Sequence, residues 1–182
     1  MPSNKTMVAL LRGINVGKAK RIAMADLRLV VEGLGYVRVR TLLNSGNVVF
    51  SGTAVAPEKG AARIERAIAE KLGVFSRVTV ITAEEVGNSV ENNPLAAMTL
   101  DHSRLLIAVV AELALMNLVM PLAQEVWSPE AMAAGDRLVW VWSPKGVLES
   151  KVLAALNRLL KDSVTVRNLA TMIKLDAMCR EN

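Results

Sequence analysis

The segment that follows the first apolar stretch of the chain has residue types that can bind an anion. It reads RGINVGK over residues 12–18, with two glycines, an asparagine and a basic residue at each end. Glycines allow a backbone to turn tightly and to approach a ligand closely, and arginine can bind phosphate or carboxylate through two parallel hydrogen bonds. The spacing matches neither the Walker A loop nor the GxGxxG pattern. Either Arg12, Asn15 and Lys18 contact an anionic ligand, or the segment is a strained strand exit in which Arg12 pairs with an acidic neighbour.

A second polar motif, NSGN at residues 44–47, lies between two predicted strands. Asparagine and glycine tolerate positive φ angles, so a hairpin turn is the simplest interpretation. In a ligand site, Ser45 and Asn47 would supply a hydroxyl and an amide. No base is evident that would activate Ser45 as a nucleophile, because the only histidine, His102, lies in the other half of the chain.

A third motif, TVRN at residues 165–168, opens the last predicted helix. Arg167, Thr171 and Lys174 are spaced so that they share one face of a helix. Basic residues beside the free N–H groups of a helix start favour an anion. The alternative is a helix start capped by Thr165 or a neighbour, with a solvated basic stripe.

Basic residues are concentrated at the two ends of the chain. Residues 1–40 carry eight basic and two acidic side chains, residues 137–182 carry eight and four, and residues 41–136 carry six and eleven. If the ends meet in space, they form a positive surface that attracts anions; otherwise lysine and arginine only solubilise the surface. Ser150 and Lys151 start another predicted helix and would extend such a surface. The candidate ligand-binding residues are therefore Arg12, Asn15, Lys18, Ser45, Asn47, Ser150, Lys151, Arg167, Asn168 and Lys174.

Single copies of cysteine and histidine limit the chemistry. Because Cys179 and His102 are alone, an intramolecular disulfide, a cysteine metal cluster and a site with two histidines are excluded within one chain. Asp101 precedes His102, but such sequence neighbours rarely form a catalytic dyad. We therefore expect no metal and no cofactor, and no nucleophile dyad or general base identifies an enzyme. One cysteine suits a reducing cytoplasm, which is the expected location.

One long apolar run raises the question of a membrane span. Residues 105–123 are almost long enough to cross a bilayer, but Glu112 and Asn117 lie inside the run and Pro121 near its end. A buried strand followed by a short apolar helix is the better interpretation. The first apolar run, residues 7–11, is too short for a signal peptide. We expect no membrane association.

Hydrophobic periodicity and turn residues predict two successive sets of elements. The first set is a strand over residues 7–12, a helix over 24–34, strands over 37–42 and 47–51, a helix over 57–72, a strand over 77–81 and a short helix over 83–91. The second set is a strand over 104–110, a helix over 113–122, strands over 125–128 and 137–143, a helix over 150–160, a strand over 163–166 and a closing helix over 167–178. Each set reads β-α-β-β-α-β. This order predicts an α+β protein of two tandem ferredoxin-like halves, residues 1–95 and 96–182, with antiparallel sheets and a C-terminal helix.

Three segments carry a resemblance to a known family. LRGINVG at residues 11–17, NSGNVVF at 44–50 and TVRNLATMIKL at 165–175 are similar to motifs of the bacterial domain of unknown function 1697 family. The resemblance covers essentially the whole chain and implies a duplicated ferredoxin-like arrangement, without an established activity. The chain departs from the family pattern at Lys18, where a glycine is usual, and at Leu169, where an aromatic residue is usual. The first departure adds charge to the loop, and the second removes a possible stacking ring.

Three classes of function remain open on the sequence. The leading hypothesis is a cytoplasmic binding module for an anionic ligand, a nucleotide or nucleic acid, at a basic cleft between the halves. The first alternative is an enzyme that acts on a small phosphorylated or carboxylated substrate. The second is a structural or interaction protein in which the polar motifs only fix turns. RNA recognition by aromatic residues on a sheet is not expected, because Phe50 is the only ring near the middle strands of the first half. The oligomeric state is not indicated.

Overall fold

The computed structural model describes residues 4–18, 20–53 and 56–181. Contacts between residues divide these into two compact units. Unit 1 contains the residues up to Val86 together with the segment from Leu175, and unit 2 contains Gly87–Lys174. The expected boundary at residues 95 and 96 falls inside unit 2.

The first sheet is four-stranded and antiparallel, with the strand order β2-β3-β1-β4. Helices α1 and α2 connect its strands, and α3 follows β4. The elements are β1 (Asn4–Leu11), α1 (Met24–Glu32), β2 (Val37–Leu42), β3 (Asn47–Thr53), α2 (Pro57–Leu72), β4 (Val78–Thr82) and α3 (Ala83–Glu91).

Helix α2 shows how local sequence sets the ends of an element. Pro57 occupies its first turn, where a missing N–H costs nothing, and Gly73 ends it with a left-handed φ of 65°. The apolar side chains of Ile64 and Ile68 lie one turn apart and are buried against the sheet. Together with apolar residues of α1, they form the core on one face of the first sheet.

The second sheet repeats the strand order of the first as β6-β7-β5-β8, and it is also antiparallel. Its core packs α4 and α5 against one face. Within the described residues, no helix is both long and apolar enough to cross a membrane. The elements are β5 (Leu105–Val110), α4 (Met116–Ala123), β6 (Ala131–Ala134), β7 (Leu138–Trp142), α5 (Lys151–Leu160), β8 (Val164–Asn168) and the C-terminal helix α6 (Leu169–Arg180).

The strand predicted over residues 125–128 was wrong. The edge strand of the second sheet is Ala131–Ala134, which starts and ends six residues later than predicted and is paired with β7. Residues 125–128 are not in a strand. A turn over residues 127–130 is closed by the Glu130 N–H, which donates to the Trp127 carbonyl at 3.0 Å, and the Trp127 indole N–H donates to the Leu122 carbonyl at 2.8 Å. Pro129, which has no N–H to donate to a strand neighbour, follows directly.

The start of the closing helix was also predicted wrongly. Arg167 and Asn168 are the last residues of β8, where they pair with Ile107 and Leu106 of β5, and α6 begins at Leu169. Arg167 therefore does not share a helix face with Thr171 and Lys174. The sequence of Arg167 and Asn168 is compatible with a strand or with the start of a helix. Their pairing with the buried strand β5 makes them part of β8.

The central strands have buried residues on both faces. Phe50 of β3 is fully buried in the helix-facing core, while Val8 and Val49, whose side chains point to the other face, are buried as well. In unit 2, Trp140 is buried and its indole N–H donates to the Ser89 carbonyl of α3 at 2.9 Å. Neither the Phe50 ring nor the Trp140 ring is therefore available on a sheet face for stacking on a base.

The C-terminal end of α6 is tied to β2 within unit 1. Arg40 donates to the carbonyl of Met178 and to the carboxylate of Glu181, the latter at 3.1 Å. Beside them, Cys179 is buried, and desolvation, assisted by the nearby Asp176 carboxylate, raises the pKa of its thiol to about 11. The thiol is therefore held in its neutral form at physiological pH.

We expect Cys179 to react slowly with a thiol reagent in the folded protein. The thiolate is the reactive species, and with a pKa of about 11 roughly one thiol in a thousand is ionised at about pH 8. The rate with a disulfide reagent should be at least about 100-fold lower than in denaturant, where the ordinary thiol pKa returns. Equal rates in both conditions would contradict this environment for Cys179.

Candidate anion-binding surface at the end of the first sheet

Three segments meet where β1 ends. The Leu11 N–H donates to the Gly46 carbonyl of the β2–β3 hairpin at 2.8 Å, and the Arg12 N–H donates to the Arg77 carbonyl before β4 at 2.9 Å. The Ser76 hydroxyl donates to the Arg12 carbonyl, also at 2.9 Å. The loop that follows β1 is thus joined by hydrogen bonds to the hairpin on one side and to the entry of β4 on the other. We call the described residues of this loop, 12–18 and 20–22, the basic loop.

Asn15 holds the basic loop in its conformation. Its side-chain amide donates to the carbonyls of Ile22 at 2.9 Å and Asn44 at 2.7 Å, and its side-chain oxygen accepts from the Ile22 N–H at 2.9 Å. Its backbone N–H donates to the Lys20 carbonyl at 3.0 Å. Its φ is 54°, a left-handed conformation that asparagine tolerates better than most residues. These bonds use both amide protons of Asn15, so its role is to shape the loop.

Gly46 allows the hairpin to approach the end of β1. Its φ is +80°, and a Cβ at this position would lie 2.6 Å from the Cβ of Leu11 and 2.8 Å from the side chain of Ile14. Both neighbours are fully or almost fully buried. Only glycine combines this backbone angle with such close contact.

Ser45 and Asn47 form the turn of the same hairpin. Asn47 is fully buried, and its amide donates to the Leu42 carbonyl at 2.8 Å and to the Ser45 hydroxyl at 3.0 Å. The hairpin predicted for the NSGN motif is present between β2 and β3. Asn47 therefore has a structural role here, and Ser45 accepts one of its bonds.

The exposed charge of this surface comes from lysine and arginine side chains of the basic loop. Lys18, Lys20 and Arg21 are exposed and Arg12 is half-buried. No ion pair joins Lys18 or Lys20 to any residue that the structure describes. The guanidinium of Arg21 donates to the Gly17 carbonyl at 2.6 Å, which fixes it along the loop. The sequence prediction named Arg12 and Lys18 but omitted Lys20 and Arg21; the signal was the lack of any acidic residue before Asp26.

Exposed apolar side chains accompany these charges. Val16 in the basic loop is 73% exposed, Leu43 in the hairpin is 52% exposed and Phe75 before β4 is 77% exposed. Leu43 also has a positive φ of 56°, which is unfavourable for a branched side chain. Sequence reasoning assigned apolar residues to the core and did not single out these three.

Ser150 and Lys151 lie at the N-terminus of α5, where the protein supplies its own anion. The Glu130 carboxylate accepts from the Ser150 hydroxyl at 2.5 Å and from the Lys151 backbone N–H at 2.7 Å. Ser150 is the N-cap residue, and its oxygen accepts from the Leu153 N–H at 3.1 Å. The backbone donors predicted to attract a ligand are therefore bound to Glu130, while the Lys151 side chain is exposed.

We expect Glu130→Ala to lower the free energy of unfolding by about 1–2 kcal/mol, because it leaves a helix-terminal N–H and a buried hydroxyl without their acceptor. Urea unfolding measures the change. Glu125→Ala, at an exposed position in the same unit, is the control and should change stability by less than about 0.5 kcal/mol. Equal effects of the two substitutions would contradict the anchoring role of Glu130.

The remaining candidates lie around the junction of β8 and α6. Asn168 caps α6, since its side-chain oxygen accepts from the Thr171 N–H at 2.9 Å. Burial lowers the pKa of the Arg167 guanidinium to about 10, and one of its nitrogens donates to the Val166 carbonyl at 2.9 Å. Lys174 is exposed. Of these three, Lys174 alone presents an exposed charge on this part of α6.

The Asp101–His102 pair is not arranged as a dyad. Hydrogen bonds from the Ser103 hydroxyl and N–H, at 2.6 Å and 3.0 Å, hold the pKa of the Asp101 carboxyl below its usual value, and Arg104 lies 3.4 Å from it. Asp101 is thus engaged by Ser103 and Arg104. Among the residues that the structure describes, no group of three or more histidine, cysteine, aspartate or glutamate side chains is placed to hold a metal ion.

Comparison with known proteins supports the fold and the family. A conserved bacterial protein from Streptococcus pneumoniae has a similar structure, with a TM-score of 0.77 at 21% sequence identity, covering 97% of this chain and 99% of the other. At this identity the likeness concerns the fold alone. No curated protein matches the chain in sequence. The family model described as "Protein of unknown function (DUF1697)" matches residues 5–140, so the chain belongs to this family.

Proposed function

We propose that the protein is a binding module for an anionic, phosphate-bearing ligand and that the basic loop is its contact surface. The observation that carries the proposal is the exposure of Lys18, Lys20 and Arg21 on a single loop. Clustered positive charge raises the local concentration of anions and speeds their association. Nucleotides and nucleic acids are the ligands whose repeated phosphates fit several cations on one loop.

The shape of the loop supports binding because it is held before a ligand arrives. Asn15 joins both ends of the loop and the neighbouring hairpin through its amide. A loop ordered in advance loses less conformational entropy on binding than a loose one. These bonds favour a binding module over the enzyme alternative, because the amides of Asn15 and Asn47 shape the turns and are not directed at a substrate.

We further infer that each unit is a ferredoxin-like plait. In both sheets the first strand and third strand of the unit are central, and the second and fourth are at the edges. With a β-α-β-β-α-β order of elements, this is the arrangement that the plait requires. The loop after a central first strand then lies at an accessible end of the sheet, where function is commonly placed.

Fluorescence titration tests the proposal directly. A labelled nucleoside triphosphate and a labelled oligonucleotide are each titrated with the full chain at about 50 mM and about 200 mM salt. We expect saturable binding of at least one probe at the lower salt and weaker binding at the higher salt. Undetectable binding of both probes at the lower salt would overturn the proposal.

A further inference from the structure

The three segments joined at the end of β1 carry the basic loop and three exposed apolar side chains, Val16, Leu43 and Phe75, on the surface of unit 1. We propose that this surface binds single-stranded nucleic acid, with Phe75 as a stacking platform for a base and the loop cations as contacts for phosphates. This inference rests on the proposed anion-binding function and names its ligand class. Val16 and Leu43 would pack beside the stacked base.

Hydrogen bonds place the apolar residues around the loop. Phe75 precedes Ser76, whose hydroxyl donates to the Arg12 carbonyl at 2.9 Å. Leu43 precedes Asn44, whose carbonyl accepts from Asn15 at 2.7 Å, and Val16 directly follows Asn15. Each exposed apolar residue is therefore the sequence neighbour of a residue that joins two of the three segments.

The exposure of Phe75 distinguishes it from the other rings of unit 1. Tyr36 and Phe50 are buried in the core, with their ring centroids 4.5 Å apart. Phe75 leaves 77% of its surface in water, although burial of an aromatic ring is a large source of stability. Phe75 is thus a ring kept in water on a segment that is hydrogen-bonded to the basic loop through Ser76. Proteins that bind single strands without sequence preference combine exposed aromatic rings with positively charged grooves.

Three of the five described non-glycine residues with a positive φ lie in the basic loop and the neighbouring hairpin. They are Asn15, Lys20 and Leu43, with φ angles of 54°, 51° and 56°, whereas Arg38 and Lys161 lie elsewhere. Residues in this left-handed region persist only where surrounding structure enforces them, and they gather at ligand-binding positions. Here the strain sets the course of the basic loop and of the hairpin beside it.

Single-stranded nucleic acid fits this surface better than duplex or lipid. A base in a single strand has an accessible π face, whereas bases in a duplex are stacked on one another. A membrane surface would also attract the cations, but membrane anchoring usually needs a larger apolar face than three side chains provide. An anionic vesicle is therefore a competing outcome for the experiment.

Anisotropy titrations of the full chain with a labelled single strand of about twelve nucleotides, and with the matching duplex, test the inference. We expect tighter binding of the single strand and a loss of at least about tenfold for Phe75→Ala, with Phe75→Trp restoring most of the affinity through its larger ring. Leu29→Ala, which removes an exposed apolar side chain from α1, is the control and should leave the affinity unchanged.

The outcomes separate this inference from the proposed function. If a Lys18→Ala/Lys20→Ala variant loses affinity but Phe75→Ala binds normally, or if duplex binds as well as single strand, the stacking inference is wrong and the anion-binding proposal stands. If neither nucleic acid nor the labelled nucleotide binds, both are wrong. If only vesicles containing phosphatidylserine bind, in a manner that depends on Phe75, the surface contacts lipid and the nucleic-acid inference is overturned.

Discussion

Replacement of both Lys18 and Lys20 by glutamate should lower the affinity for a labelled single strand by about 100-fold or more. Each lysine is exposed on the basic loop, and a charge-assisted hydrogen bond contributes about 1.5 kcal/mol or more, so that two of them correspond to about 3 kcal/mol. Charge reversal adds repulsion between the new carboxylates and phosphate. Anisotropy titration at about 50 mM salt measures the change.

The matched control is Lys5→Glu/Lys59→Glu. Both lysines are exposed, and the double substitution changes the net charge by the same amount. They lie toward the other end of the first sheet. Lys5 is the second residue of β1, opposite Gly52, and Lys59 is in the first turn of α2, which follows β3. The control should lose less than about threefold through the overall field. Equal losses in the two variants would mean that net charge, and not the basic loop, governs binding.

We expect Gly46→Ala to lower the free energy of unfolding by about 3 kcal/mol. An alanine would be strained at a φ of +80°, which costs about 1 kcal/mol or more. Its Cβ would also lie 2.6 Å from the Cβ of Leu11, an atom fixed close to the backbone of a buried strand, and such overpacking costs about 1–3 kcal/mol. For a chain of this length, the melting temperature should fall by roughly 6–12 °C.

The variant Gly13→Ala separates the two contributions to this loss of stability, which are backbone strain at a positive φ and overpacking by the added Cβ. Gly13 also has a positive φ, +66°, but an added Cβ would meet nothing within 4 Å. This variant should therefore lose only the conformational contribution, about 1 kcal/mol. If Gly46→Ala and Gly13→Ala unfold at the same urea concentration, the close approach of the hairpin to β1 does not contribute to stability as described.

Several elements were predicted with the bounds that the structure has, and each has strong local signals. Helix α2 begins with a proline and ends before a glycine in the left-handed conformation. Helix α3 begins after Thr82, whose side chain accepts from the Glu85 N–H at 3.1 Å while the Glu85 carboxylate accepts from the Thr82 N–H at 2.8 Å. This reciprocal capping box has a sequence signal, a threonine followed three residues later by a glutamate.

Elements that depend on distant partners were harder to predict. Strand β6 reads AMAA, which has neither β-branched residues nor alternation, and it is defined by its pairing with β7. The end of β8 at Arg167 and Asn168 depends likewise on pairing with β5, although the capping of α6 by Asn168 is a local signal. Propensity alone cannot place such boundaries.

The candidate surface was predicted in part. Arg12 and Lys18 were named from the sequence, and they stay predictions that the structure places in the basic loop, whereas the asparagines Asn15 and Asn47 hold turns. The glycine-rich pattern is the same for a ligand loop and for a rigid turn, so spacing could not separate the two roles. The exposure of Phe75 was beyond prediction, because a single apolar residue in a sequence carries no information on which side chains surround it.

The helix N-terminus at Ser150 illustrates a different difficulty. Helix starts attract anions, and this one has Glu130, twenty residues earlier in the chain, as its acceptor. The turn over residues 127–130, which ends at Glu130, overlaps the segment 125–128 that was wrongly predicted to be a strand. Because this strand was predicted wrongly, neither the edge strand β6 nor the hydrogen bonds of Glu130 to Ser150 and Lys151 were predicted.

The salt dependence of binding is the measurement that tests the central claim most directly. The logarithm of the affinity for a labelled single strand is plotted against the logarithm of the salt concentration for the wild type and for Lys18→Ala/Lys20→Ala. If the two lysines contact phosphates, the slope should become shallower by about 1.4, since each released counterion contributes about 0.7 for a single strand. An unchanged slope in the variant, or no binding by the wild type at about 50 mM salt, would contradict the assignment of the basic loop as the anion-binding surface.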